Sequence, residues 1–253
     1  MSLISIKIIN QLKDNYSFIL YNNNKDALVI DPAESYPIIQ YTNKINLNIK
    51  DIFITHHHKD HTNGVDGIIK NFPKANIYSP SSDIKNTRFV LSNNDEVNSH
   101  INSFKIISTP GHTLDHIVYY DNHNKILFCG DTLFRLGCGR IFEGTLNQMY
   151  SSLQKLNELD DDIIVYCGHE YTLTNLNFLE ATLDKKNLYS NIRQKIEGEL
   201  RLKQKSVPFK IDDEKKYNLF LNQESEVGEI VKKELKLESL GLFKYLREKK
   251  DNF

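Results

Sequence analysis

A chain of 253 residues, 40% apolar and 26% charged, is long enough to bury a sizeable core and ordinary in composition for a globular protein. Its net charge of −1 points to no polyanionic partner, and no run approaches the roughly 20 apolar residues that a membrane-spanning helix needs. Three cysteines, Cys129, Cys138 and Cys167, with no CxxC pair, argue against a disulfide framework and against a cysteine zinc site.

Residues 1–10 lack the charged start, apolar run and cleavage site of a secretory signal, so a cytosolic protein is expected. Residues 3–9 alternate loosely as a first strand. Residues 16–21 and 27–30 read as a hairpin across the Asn-rich turn 22–24, and Asp31-Pro32 ends the third strand. The apolar run 51–55 is a short strand leading into a histidine cluster, and 65–71 reads as a short helix. Further strands are expected at 76–78, 101–108, 116–120, 125–129 and 163–167. Residues 146–159 place Leu146, Met149, Tyr150, Leu153 and Leu156 on one helical face.

After about Tyr171 the strand signals stop, and helical spacing takes over at 173–183, 188–205, 224–235 and 238–249. Pro208 separates two of these segments. Residues 1–184 carry a charge balance of −6 and residues 185–253 one of +5. The layout is an α/β body followed by a helical, mildly basic segment.

The decisive stretch is Thr55-His56-His57-His58-Lys59-Asp60-His61. On extended backbone alternate side chains share a face, so His56 and His58 can reach one cation together while His57 points away. A turn at Lys59 and Asp60 can swing Asp60 and His61 toward a second cation. Imidazole and carboxylate ligands suit zinc, iron or manganese better than calcium. Three more strand ends supply further ligand types: His112 in Thr-Pro-Gly-His-Thr, Asp131 in Gly-Asp-Thr and His169 in Gly-His-Glu. Each stands beside a glycine that lets the backbone turn sharply. His100 and His123 lie in turn-like contexts with no chemical role expected. Asp31 can orient a ligand histidine or simply end a strand.

HxHxDH at a strand end, followed by a later His, Asp and His, resembles the metallo-β-lactamase superfamily. Within it the chain is similar to the glyoxalase II (hydroxyacylglutathione hydrolase) family. The resemblance rests on 12–16 (Leu-Lys-Asp-Asn-Tyr), 130–134, Gly137-Cys138-Gly139-Arg140, Phe142-Glu143-Gly144, Gly168-His169-Glu170-Tyr171-Thr172 and the tail Arg247-Glu248-Lys249-Lys250-Asp251. It implies a four-layer αβ/βα sandwich of the metallo-β-lactamase type over 1–172 and a small all-helical C-terminal domain over 173–253. It also implies two divalent metal ions, zinc first, with iron or manganese as alternatives. His56, His58 and His112 would hold one metal; Asp60, His61 and His169 the other; Asp131 would bridge them. Arg140, Phe142, Tyr171, Arg247 and Lys250 would bind the glutathione moiety. Phe142 stands where tyrosine is common, Arg140 where some members have lysine, and Asp115 where glycine is common.

The expected reaction is hydrolysis of S-D-lactoylglutathione to D-lactate and glutathione, the second step of methylglyoxal detoxification. Two cations held together lower the pKa of a shared water toward ~7, which makes hydroxide available for attack. Asp60, Asp131 or bound water would move the proton, and the sequence does not choose among them. The alternatives are another hydrolase of the superfamily, such as a lactonase or other thioesterase, and a nucleic-acid processing enzyme. The latter lacks interleaved aromatic and basic surfaces in its C-terminal segment. The expected partner is a small glutathione thioester, with no nucleic acid and no membrane, on a monomeric chain.

Overall fold

A computed structural model describes residues 4–253, so Leu3, read as the start of the first strand, lies outside the described residues. The chain divides into two compact units. The first takes the chain up to Ser108 with Asp115–Asn124 and Phe128–Gly130; the second takes Thr109–Leu114, Lys125–Leu127 and Asp131–Phe253.

The first unit opens with β1 (Ser5–Gln11), β2 (Asn15–Tyr21) and β3 (Asp26–Ile30), an antiparallel run. The turn between β2 and β3 is the expected Asn-rich one. Asn22 accepts the Asp26 amide on its side chain, and Lys25 takes the left-handed conformation at φ 68°. From β3 the sheet changes sense and continues parallel through β4 (Asn48–Phe53), β5 (Asn76–Ser79) and β6 (Phe89–Val90). A parallel step needs a crossover, supplied by α1 (Ser35–Lys44). No helix is expected there from sequence alone, because Pro37 and β-branched residues mask it. Pro37 falls in the first turn, where a missing N–H costs nothing, and Ile38 and Thr42 form the buried face. After β4 (Asn48–Phe53) come α2 (Lys59–Thr62), α3 (Val65–Asn71), β5 (Asn76–Ser79) and β6 (Phe89–Val90). Ile19, Val29, Ile38, Ile52, Ile54, Ile68 and Ile77 form the core between these strands and helices.

β7 (Glu96–Asn98), β8 (Ser103–Ser108) and β9 (Ile117–Asp121) form an antiparallel meander in the same unit, and β10 (Ile126–Gly130) passes from one unit to the other along its length. Phe53 of β4 stacks on Tyr119 of β9 at 4.5 Å. It meets Phe104 of β8 edge-on at 5.3 Å and Tyr78 at 5.2 Å.

The second unit begins with a small hairpin, β11 (Leu133–Phe134) and β12 (Gly137–Cys138). Next comes α4 (Leu146–Asn157), started by a capping box between Thr145 and Gln148, and then β13 (Ile164–Cys167). The remainder is α5 (Thr172–Leu183), α6 (Lys186–Lys203), β14 (Phe209–Lys210), α7 (Ile211–Tyr217), α8 (Glu226–Leu235) and α9 (Ser239–Asp251). The expectation that strands stop after Tyr171 needs one correction: β14 pairs antiparallel with β13 over Ile164–Lys210 and Val165–Phe209. Two residues are too few to leave a periodic signal. The buried Glu214 accepts the Leu136 amide at 2.7 Å, and Asn218 donates to the carbonyls of Phe134 and Gly137. The turn of the β11–β12 hairpin is therefore held by side chains of and just after α7. Burial pushes Glu214 up to about 7 against these hydrogen bonds. Among the described residues no helix is long and apolar enough to cross a membrane.

Phe53 is fully buried and packs on three rings. Phe53→Ala is expected to destabilise the fold by about 3–5 kcal/mol, and Phe53→Leu by clearly less. Urea unfolding followed by circular dichroism measures both; an equal, small effect of the two would show that the aromatic cluster is not the packing centre.

Candidate metal centre

In the first unit the histidine cluster is delivered by a bend, not by the extended strand expected. β4 ends at Phe53, and the chain bends at Thr55 and His56. His58 precedes α2 in an extended conformation, and the single turn of α2 carries Asp60 and His61. The rings of His56 and His58 lie 4.7 Å apart and those of His56 and His61 4.2 Å apart. Ligand nitrogens of His56 and His58 fall within 4.8 Å of one another, as do ligand atoms of Asp60 and His61. His57 leaves the cluster: its side chain is 41% exposed and pairs with Asp115 at 3.0 Å.

Asp31 sets the protonation of this cluster. Its carboxylate accepts the Thr55 amide at 2.8 Å, the Thr55 hydroxyl at 2.7 Å and His61 Nδ1 at 3.0 Å. Because the Thr55 hydroxyl proton goes to Asp31, its oxygen accepts from His56 Nδ1, 3.0 Å away. Both imidazoles therefore carry the proton on Nδ1 and the lone pair on Nε2, the form that ligates a cation. Asp31 adopts the left-handed conformation at φ 49°, which aspartate tolerates, and Ser17 donates to its carbonyl. Asn15 donates to Asp60 Oδ2 at 3.0 Å. His116 is buried and stacks on His56 at 4.9 Å. Gly130 has φ 47°, and a Cβ there would fall 2.5 Å from Thr55 Oγ1 and 2.9 Å from His116 Nε2.

In the second unit Asp131 Oδ2 lies 3.2 Å from His169 Nε2 and 3.5 Å from His112 Nε2. His112 Nδ1 is 2.7 Å from the Arg140 carbonyl, which can only accept. In the neutral ring Nε2 then presents its lone pair to a carboxylate oxygen. Two acceptors at that separation repel, and a positive charge between them removes the conflict. The donor set of each unit thus fits a divalent cation, as imidazole and carboxylate ligands do. Gly139 is fixed by contact: a Cβ there would fall 1.9 Å from the Asp131 carbonyl oxygen. His169 stacks on Tyr171 at 4.8 Å, and Phe142 meets His112 edge-on at 5.3 Å.

The cationic residues singled out in the sequence lie in this second unit. Arg247 is buried and donates to the carbonyls of Cys138 and Gly139 and, at 2.8 Å, to Asp251 Oδ1. Arg140 donates from Nε to the same Asp251 oxygen at 3.2 Å and from Nη2 to the Asp251 carbonyl at 3.0 Å. Lys250 Nζ sits 4.8 Å over the Phe178 ring; burial, then the nearby Arg247, lowers its pKa to about 8. Burial also pushes the Cys138 thiol up, away from nucleophilic use.

Thr55, Asn15 and His116 carry no expected role at the cluster from sequence alone. Asn15 at least fell inside the family-like stretch 12–16, and Asp251 ended the family-like tail. His100, set aside as non-chemical, packs its Nδ1 on buried Asp51 at 2.8 Å.

Residues 13–169 match the metallo-beta-lactamase superfamily, and residues 170–253 match the hydroxyacylglutathione hydrolase C-terminus. The chain belongs to the metallo-β-lactamase superfamily. A hydroxyacylglutathione hydrolase of Citrobacter koseri is 39% identical over 99% of this chain and 100% of its own length. One from Photorhabdus laumondii is 42% identical over 87% of this chain and 86% of its own. Within the superfamily, then, this is a member of the hydroxyacylglutathione hydrolase, or glyoxalase II, family. The crystal structure of ETHE1 from Myxococcus xanthus shares the fold, with a TM-score of 0.65 at 23% identity over 98% of this chain and 100% of that one. The metallo-β-lactamase fold followed by a helical C-terminal domain is the one the sequence led us to expect.

Asp31→Asn should weaken divalent-metal affinity by about 10–100-fold, since it removes the charge behind His61 and the acceptor that fixes Thr55. Metal content after equilibration in metal-buffered solution, with circular dichroism as the folding control, measures this. Wild-type affinity in the variant would end the role given to Asp31.

Proposed function

We propose that this chain hydrolyses S-D-lactoylglutathione, and 2-hydroxyacyl glutathione thioesters generally, to the hydroxy acid and glutathione. The observation that carries the reading is the fixed tautomer of His56, His61 and His112, in a chain 39% identical to a hydroxyacylglutathione hydrolase over nearly its whole length. In the proposed ligand set His56, His58 and His112 would hold one divalent cation, and Asp60, His61 and His169 the other. Asp131 is common to both. Zinc is the first choice, with iron or manganese as alternatives. Such cations, when bound, supply Lewis acidity and hydroxide at neutral pH.

The chain's own residues do the rest. Asp60, steadied by Asn15, and Asp131 are the carboxylates assigned to proton movement. The C–S bond breaks with loss of a thiolate whose conjugate acid has a pKa of about 8.5, so no strong general acid is required. Arg140, Arg247 and Lys250 supply positive charge for the carboxylates of the glutathione moiety, and Phe142 and Tyr171 supply apolar walls beside His112 and His169. In this reading residues 1–172 are the catalytic domain and 173–253 contribute the substrate-binding cations of the tail. Three buried cysteines with no CxxC pair suit a reducing compartment, and we assign the activity to the cytosol.

The test is a parallel assay of thioester, lactone, β-lactam and nucleic-acid hydrolysis before and after exhaustive chelation. Thioester turnover that vanishes on chelation and returns with zinc, iron or manganese is the expected result. Full turnover by the chelated protein overturns the metal assignment; a preference for lactone overturns the substrate.

Lys250 gives the reading a pH dependence. With its pKa lowered to about 8, the side chain is cationic below that pH and neutral above it. KM for the glutathione thioester should therefore rise as pH increases through about 8, with kcat little changed, and Lys250→Arg should flatten the rise. A wild-type KM flat across this range would remove Lys250 from substrate binding.

A further inference from the structure

We propose that Asp251 is a positioning residue for carboxylate recognition, acting through Arg140; this rests on the reading of Arg140 as a cation that binds the glutathione moiety.

A guanidinium presents five N–H groups in a plane, and two of its edges can each meet a carboxylate side by side. Arg140 places its Nε and Nη2 edge on Asp251: Nε on the carboxylate at 3.2 Å, and Nη2 on the main-chain oxygen at 3.0 Å. That main-chain oxygen belongs to the last turn of α9, where carbonyls lack helical partners and the helix dipole is negative. The Arg140 side chain is half exposed, so without this grip a long, flexible group would sweep solvent. Held by one edge, it offers the other, Nη1 with the second hydrogen of Nη2, as a preformed fork. The rotamer freedom is lost before the ligand arrives, and binding does not have to supply it.

Asp251 is itself held. Arg247 stands four residues earlier on α9, is nearly completely buried, and donates to the same Oδ1 at 2.8 Å. Its other nitrogen reaches the carbonyls of Cys138 and Gly139, the two residues before Arg140. The loop and the helix end are thus joined twice, once through backbone and once through the shared carboxylate oxygen. One carboxylate between two guanidiniums leaves a net positive charge. Asp251 therefore offsets the buried Arg247 and still leaves Arg140 able to attract an anion. The Arg140 carbonyl also accepts from His112 Nδ1, so the residue is anchored at both its backbone and its side chain.

The experiment uses the full-length, metal-loaded enzyme and two substrates: the glutathione thioester, and a thioester of a thiol with no carboxylate. Asp251→Ala, Arg140→Ala and the double variant are compared. In Asp251→Ala, KM for the glutathione thioester should rise about fivefold with kcat unchanged, and turnover of the carboxylate-free thioester should match wild type. The Asp251 effect should disappear in the Arg140→Ala background. A lowered KM in Asp251→Ala would mean that Asp251 competes with the ligand and would overturn the proposal. So would an Asp251 effect that persists without Arg140, or an equal loss on both substrates. If Arg140→Ala raises KM and Asp251→Ala does not, this proposal alone falls. If Arg140→Ala leaves KM unchanged, the assignment of Arg140 falls and takes this proposal with it. Should Asp251→Ala unfold because the buried Arg247 loses its counter-charge, Asp251→Asn keeps the shape and one acceptor oxygen, and the same comparison applies.

Discussion

The cluster of the first unit depends on one carboxylate. Asp31 directly follows β3, and the groups that donate to its carboxylate are on or beside the bend after β4. A buried acceptor in a medium of low polarity dictates where neighbouring protons lie, because an unmet donor or acceptor there is costly. One anion thereby decides three things: the hydroxyl direction of Thr55, the tautomer of His56 and the tautomer of His61. The parallel β3–β4 pairing is what brings the ends of those two strands side by side. A change of register by one residue would turn the set to the wrong face.

The second unit solves the same problem without a carboxylate. A backbone carbonyl, that of Arg140, accepts from His112, and the hairpin just before it is held at its turn by Asn218 and Glu214 and at Cys138 by Arg247. This gives a fully buried Glu214 a use although burial favours its neutral form: it accepts the Leu136 amide, which would otherwise lie buried and unmet. It also explains the glycines. Gly139 lets the loop pass within contact of the Asp131 carbonyl, and Gly130 lets the chain pass Thr55 and His116. Neither position has room for a methyl group, so tight backbone approach is part of how the imidazoles are aimed.

Much of this was legible in the residues. Strand ends followed by His, Asp or His beside glycine are a local signal, and a ligand set read from residue type survives an error in backbone. The stretch 55–58 illustrates this: extended strand was expected, a bend was found, and His56 and His58 still meet because both routes bring alternate residues to one side. What sequence reading passed over depends on tertiary contact. α1 carries a proline and only a short apolar stripe, so its helical state is decided by the crossover it must make. β14 is two residues long and exists because β13 pairs with it. Asp251 is an ordinary charged residue at a helix end until Arg247 and Arg140 converge on it from 4 and 111 residues away.

The tail also illustrates how charge and burial divide labour between similar residues. Arg247, Lys250 and Arg140 read alike in sequence, yet their surroundings differ. Arg247 is enclosed and committed to carbonyls and a carboxylate, a use suited to a planar group with a fixed fork of donors. Lys250 is partly buried over aromatic rings, and its charge becomes conditional near pH 8. Arg140 is half exposed and held along one edge only. The first cation builds the loop and adds its charge to the site, and the last is presented by the loop. The middle one makes the affinity of the site responsive to pH. A single substitution type applied across all three would therefore report three different quantities: folding, binding and proton linkage.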